Sequence, residues 1–172
     1  MDFPRSAVAA IVFAAGLFAT TPAPAAEVSM ASGSVHFSTP DGWNEIMETS
    51  GDPEVRAFQV PDPSATGQSA LARVTVTVKQ VTSINDFRAF ESEASSKANL
   101  LTGYKAGATA DPNNLSYTAK ESGVAFSYRE LYWFKGSYAV QLRCARPQQS
   151  QAGAAWTAAF DRGCAAIAAQ LK

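Results

Sequence analysis

The sequence predicts an α+β fold, an antiparallel β-sheet of about six to seven strands flanked by two helices. Three observations carry this. Residues 124–144 alternate large apolar with small or polar side chains on two arms joined near Lys135-Gly136, the period of a long β-hairpin. Two other segments, 84–101 and 154–171, repeat apolar residues three or four apart, the period of a helix. The other apolar runs are short and bounded by Gly, Pro, Asn and Asp, giving the order β-β-β-β-α-β-β-β-α.

Residues 26–33 read as a flexible lead-in. Val35 and Phe37 flank His36 in a first strand over 34–38. Thr39-Pro40-Asp41-Gly42 is turn chemistry: proline fixes φ at the second position and Asp-Gly follows. Extended structure resumes over 43–47, with Trp43, Glu45 and Met47 on one face and Ile46 on the other. After a turn at 49–53, residues 54–60 form a strand with Phe58 and Val60 on one side. The segment 61–69, PDPSATGQS, has loop composition. In 70–81, Val74, Val76 and Val78 face in, while Arg73, Thr75, Thr77 and Lys79 face out.

The period then changes. Ser83 is an N-cap, Asp86 sits in the first turn, and Phe87, Phe90, Ala94, Ala98 and Leu101 make one stripe that stops at Gly103. Residues 105–114 are turn-rich and 115–121 form a short strand. In the hairpin, a three-residue loop Phe134-Lys135-Gly136 keeps parity. It pairs Tyr132 with Tyr138, Tyr128 with Leu142 and Phe126 with Cys144, and gathers the apolar even positions on one face. Glu130 breaks that face, and Leu131 and Trp133 break the polar one, so the second face is partly covered too. In the final helix, Trp156, Phe160, Cys164, Ile167 and Leu171 share a stripe. Gly163 within it costs about 1 kcal/mol against Ala and permits a close approach to the sheet beside Cys164.

The first 25 residues carry one Arg, an apolar run from Ala7 to Ala19 and Ala23-Pro24-Ala25, the pattern of a secretory signal peptide cleaved after Ala25. The run is shorter than the ~20 apolar residues a membrane span needs. The expectation is a periplasmic or secreted chain of one domain, 26–172, with no stable membrane insertion. A net charge of −1 and no run of like charge argue against nucleic acid as a partner. Two cysteines in an exported chain pair by default, so Cys144 and Cys164 are expected to form a disulfide. The alternative, a redox pair, lacks C-x-x-C spacing. Because Cys144 lies on the even face, the final helix is expected to cover that face.

The FSTPDGW turn, Phe37 to Trp43, resembles the F-x-x-P-x-G-W opening of PsbP-like and DcrB-like proteins. The order of amphipathic helix, late aromatic hairpin ending in YAVQL and closing helix resembles that family too. The resemblance implies a central antiparallel sheet flanked by helices and a protein that binds partners. It supplies no catalytic residues, and the cysteine pair is not one of its features.

Candidate binding residues are Trp43, Glu130, Arg129, Trp133, Phe134 and Arg143. Glu130 stands out as a carboxylate on an apolar face, which is paired, marginal or raised in pKa. Leu131 and Trp133 are expected under the first helix through Phe87 and Phe90; Phe134 and Trp43 are expected to be exposed. His36 is the one histidine, and it has no companions at metal-ligand spacing. No cofactor or metal is implied. Three readings follow. A non-enzymatic adaptor recognising another envelope or secreted protein predicts a solid core and an exposed aromatic patch. A small apolar-ligand binder predicts an enclosed apolar pocket near Glu130. A hydrolase predicts a carboxylate and a hydroxyl within reach of His36.

Overall fold

A computed structural model describes residues 24–108 and 111–172. A seven-stranded antiparallel sheet organises it, with a small two-stranded sheet and helices packed on its faces. The α+β expectation holds. The small sheet is β1 (Glu27–Met30) and β2 (Val35–Ser38), linked by a short 3-10 turn. The large one has the order β3-β4-β5-β9-β8-β7-β6. Its strands are β3 (Asn44–Thr49), β4 (Glu54–Gln59), β5 (Arg73–Gln80), β6 (Lys105–Ala106), β7 (Asn114–Glu121), β8 (Val124–Lys135) and β9 (Tyr138–Pro147). The helices are α1 (Ala65–Ser69), α2 (Ile84–Asn99) and α3 (Gly153–Leu171). The expected signal peptide lies outside the described residues except for its last two positions.

Two expected loops are structured. The lead-in contains β1, because Val28 and Met30 alternate into the core opposite Phe37 and Val35. The segment 61–69 contains α1, started by Ser64, whose side chain accepts from the Thr66 amide. The third helix therefore adds to the two anticipated. The N-cap of α2 is as expected: Ser83 accepts from the Asp86 amide, and the Asp86 carboxylate accepts from the Thr82 and Ser83 hydroxyls.

The hairpin register differs from expectation. Lys135 pairs with Tyr138 across a two-residue loop, Gly136-Ser137, with Gly136 at φ +60°. Positive φ at the first loop position suits the II′-type turn that matches strand twist. Leu131 therefore pairs with Leu142, Trp133 with Val140 and Arg129 with Cys144. Odd positions of β8 share a face with even positions of β9. The assumption that failed is a single apolar face. Both faces of this sheet are covered, so both parities of the hairpin carry apolar residues.

One face meets α3 and the small sheet. Val74, Val76, Val78, Leu131, Val140, Leu142 and Cys144 pack against Phe160, Ile167 and Leu171 of α3 and Val28, Met30, Val35 and Phe37. Each such side chain contributes about 1.5–3 kcal/mol on burial. The Cys144–Cys164 disulfide ties α3 to β9, with Cα atoms 6.3 Å apart. The final helix does cover the face of Cys144, but Phe126, Tyr128 and Tyr132 are on the other one. That opposite face meets α2, where Phe87, Phe90 and Ala94 pack on Tyr132 and Ala139, and Ala98 packs among Tyr117, Ala119, Phe126 and Tyr128.

On β3 a bulge falls between Glu45 and Met47, so Glu45 pairs with Phe58 and Met47 with Ala57. Glu45 and Met47, expected on one face, are on opposite faces, because a bulge inserts one residue into the alternation.

Candidate functional site

The α2 face holds the chemistry. Glu130 of β8 is 2% exposed. Its Oε1 accepts from the Tyr117 hydroxyl at 2.7 Å. Its Oε2 accepts from the Tyr132 hydroxyl and, at 3.1 Å, from the Gln141 amide nitrogen. The same nitrogen lies 3.0 Å from the Tyr132 oxygen. The Arg143 Nε is 3.2 Å from Oε1, within ion-pair range. Its N–H is not aimed at an acceptor among the described residues, so the pair is Coulombic rather than a hydrogen bond. The Arg143 guanidinium stacks 5.0 Å above the Tyr128 ring. A buried carboxylate is tolerable on these terms, with three hydrogen-bond donors and one guanidinium charge converging on two oxygens.

Register explains the convergence. Tyr117 pairs with Tyr128 on β7–β8, and Glu130 with Arg143 on β8–β9. Side chains alternate along each strand, so Tyr117, Glu130, Tyr132, Gln141 and Arg143 point to one face. Burial, and then the Glu130 charge and hydrogen bond, push the Tyr117 and Tyr132 hydroxyls well above the usual phenol range. Both remain neutral donors to the carboxylate.

A second network adjoins it. Arg73 grips Glu121 with both nitrogens, at 2.9 and 2.5 Å, and Tyr128 donates to the same carboxylate. Burial works to raise the Glu121 carboxyl, but the Arg73 and Tyr128 hydrogen bonds prevail and hold it below the ordinary range. Burial and Glu121 push the Tyr128 hydroxyl upward.

Beside the Glu130 network, α2 and the sheet leave a groove of about 400 Å³. Its sheet side is Thr77 and Lys79 of β5 and Gln141 and Arg143 of β9, with Glu130 at the floor. Its helix side is Phe90, Glu93, Ala94, Lys97, Ala98 and Leu101, and Pro53 closes one end. Glu93 and Lys97 form an exposed i,i+4 pair at 2.6 Å. The groove near Glu130 is partly open and mixed in character, polar on the sheet side and apolar on the helix side, rather than the enclosed apolar pocket expected of an apolar-ligand binder.

The other sequence candidates scatter. Trp43 is 8% exposed, stacked on Phe160 under α3, so its expected exposure is corrected. The Pro40-Asp41-Gly42 turn aims it inward: Gly42 takes φ +80° and the Trp43 amide donates to Pro40 O. Leu131 and Trp133 pack in the α3-side core, not under Phe87 and Phe90. Phe134 is 40% exposed, as expected, and lies against Phe87. The candidates Arg129 and Arg143 are on opposite faces of the sheet: Arg129 pairs across from Cys144 and reaches Asn114, while Arg143 joins Glu130. His36 is exposed on β2 across from Ser29 and makes no hydrogen bond to a described residue. Among the described residues no three His, Cys, Asp or Glu side chains cluster as metal ligands. Sequence reasoning missed Tyr117, Gln141, Thr77, Lys79 and Lys97. Thr77 and Lys79 carried a signal, since they were read as facing away from the valine face.

The fold and site define an α+β sheet protein with a groove, polar on one wall and apolar on the other, under one helix. No family model matches the sequence, and no curated protein matches it. Among solved structures the chain is similar to a Pseudomonas aeruginosa protein of unknown function, a candidate regulator. The TM-score is 0.43 and the identity 16%, over 72% of this chain and 83% of that one.

Proposed function

We propose that this chain is an exported, non-enzymatic binding protein that takes its ligand in the groove between α2 and the sheet. The carrying observation is the groove itself, a concavity of ligand size floored by a buried, fully hydrogen-bonded carboxylate. Such a network rigidifies its surroundings and holds Gln141 and Arg143 in fixed positions. Export is supported by the leader-like first 25 residues and by the disulfide. Among the described residues no helix is long and apolar enough to cross a membrane. The PsbP-like resemblance, with its partner-binding members, supports binding over catalysis.

Native mass spectrometry of protein taken gently from the periplasm tests this. A bound mass of a few hundred daltons is expected, and it should be lost in Thr77→Trp, which fills the groove from the sheet side. A bare chain that also gives no response to ligand libraries would refute the reading.

The protein-adaptor reading keeps one favourable observation. Among the described residues the outer edge of β3 is unpaired, and Ile46 and Met47 on it are each 46% exposed. An open edge is a template for strand addition. Here the bulge and the glutamates Glu45 and Glu48 blunt it. A stoichiometric second protein in the same spectrum, lost on Ile46→Lys, would favour this reading instead.

A further inference from the structure

The groove's hydrogen-bonding capacity is one-sided. Glu130, its one buried acid, directs its oxygens at Tyr117, Tyr132, Gln141 and Arg143, leaving little acceptor capacity for a guest. Gln141 uses its amide nitrogen on Glu130 and Tyr132. Glu93 is occupied by Lys97, and its carboxyl lies below the ordinary range through the Lys97 hydrogen bond, with a further pull from Lys79. What remains for a guest is mainly donors. Lys79 has no ion pair within 4.0 Å among the described residues. Arg143 keeps 34% of its side chain exposed; its Nε faces Glu130 without a hydrogen bond, and its guanidinium also bears on the Tyr117 hydroxyl, so a guest meets the remaining donors of its fork. Thr77 stands between them in the strand register.

The register sets the spacing. Thr77 pairs with Gln141, Lys79 with Ala139 and Thr75 with Arg143. Lys79 and Arg143 therefore stand at opposite ends of the Thr77–Gln141 pair, each two residues, or about 7 Å, along its strand. Both are long enough to close on one group between them. The helix wall opposite is apolar at Phe90, Ala94, Ala98 and Leu101. We propose that the groove binds a small amphipathic carboxylate, its head held by Lys79 and Arg143 over Thr77 and its apolar body laid along α2. This rests on the groove being the ligand site. Charge complementarity favours an acid over an amine: Lys97 is paired with Glu93 and Arg143 with Glu130, which leaves Lys79, among the described residues, as the groove's uncompensated charge.

The test uses the mature chain and three probes of equal tail length: octanoate, octan-1-ol and octylamine, below their micellar concentrations. Backbone amide NMR shifts report both affinity and place. Octanoate is expected to move signals of β5, β9 and α2 and to bind at least tenfold more tightly than the alcohol or the amine. Lys79→Gln, a substitution at a half-buried position on the groove's sheet side, is expected to weaken octanoate severalfold, and Arg143→Gln at least tenfold. Equal binding of the alcohol or the amine in the groove would overturn the carboxylate assignment and leave the groove reading intact. So would unchanged octanoate affinity in Lys79→Gln. Shifts scattered over the surface, or none, would overturn the assignment as well. The groove reading then stands or falls separately, on whether a co-purified mass disappears in Thr77→Trp.

Discussion

Gly163 is where α3 meets the Phe37–Trp43 turn, and its substitution has an unusual expected sign. A Cβ built there would lie 2.5 Å from Trp43 Cζ2, 3.0 Å from Trp43 Cη2 and 3.1 Å from Pro40 Cγ. In a free helix interior, Gly→Ala gains about 1 kcal/mol. Here the added methyl meets a rigid ring, 8% exposed and backed by Phe160 with centroids 6.2 Å apart. Overpacking of this kind costs about 1–3 kcal/mol. The net expectation for Gly163→Ala is a loss of about 1 kcal/mol, or a melting temperature lower by about 2–4 °C. Trp43→Phe removes the two contacted ring atoms. In that background the same Gly163→Ala should gain up to about 1 kcal/mol, a coupling near 2 kcal/mol, as expected of side chains in direct contact. Urea unfolding of the four proteins with the disulfide intact measures this, through the shift in midpoint at constant slope. If Gly163→Ala stabilises the wild-type background by about 1 kcal/mol, the close-approach reasoning is wrong.

Replacing both Cys144 and Cys164 by Ser should cost about 3 kcal/mol for a loop of this size, read in urea; the unreduced wild-type chain should yield no alkylatable thiol. Tyr132→Phe removes a donor to a buried carboxylate and should cost about 1.5–3 kcal/mol; a change under 0.5 kcal/mol would mean Glu130 does not depend on it. The Glu121 carboxyl is held below its ordinary value by Arg73 and Tyr128 against the opposing pull of burial, so its contribution is present above the unfolded pKa and is lost as pH falls through the folded one. Glu121→Gln should therefore flatten the acid limb of stability below about pH 4.5, and an unchanged limb would count against the network. Tyr117, Tyr128 and Tyr132 are raised, first by burial and then by their carboxylate partners. Their contribution is present below the unfolded phenol pKa of about 10 and lost above it. Their tyrosinate absorbance should appear only together with alkaline unfolding.

The helix periods, the Ser83 cap, the valine strand and the cysteine pair were legible because each is a local pattern. The hairpin's register was not, because alternation fixes register only when one face is buried. With α3 on one face and α2 on the other, Leu131 and Trp133 are as much core as Tyr128 and Tyr132, and the turn at Gly136-Ser137 decides. Residues that looked like exceptions to one-sided burial, Glu130, Leu131 and Trp133, were thus signs of burial on both sides. The groove follows from the same geometry. A helix about 10 Å across covers two strands spaced about 4.8 Å apart, and α2 lies over β8 and its neighbours in a seven-stranded sheet. The α2 face of β5 is left at the helix's margin, where Thr77 and Lys79 point. Their polar, outward parity in an otherwise valine-rich strand is what an uncovered sheet face requires. It was visible in the sequence, and what it lacked was the position of α2, which turns a polar strip into one wall of a binding site.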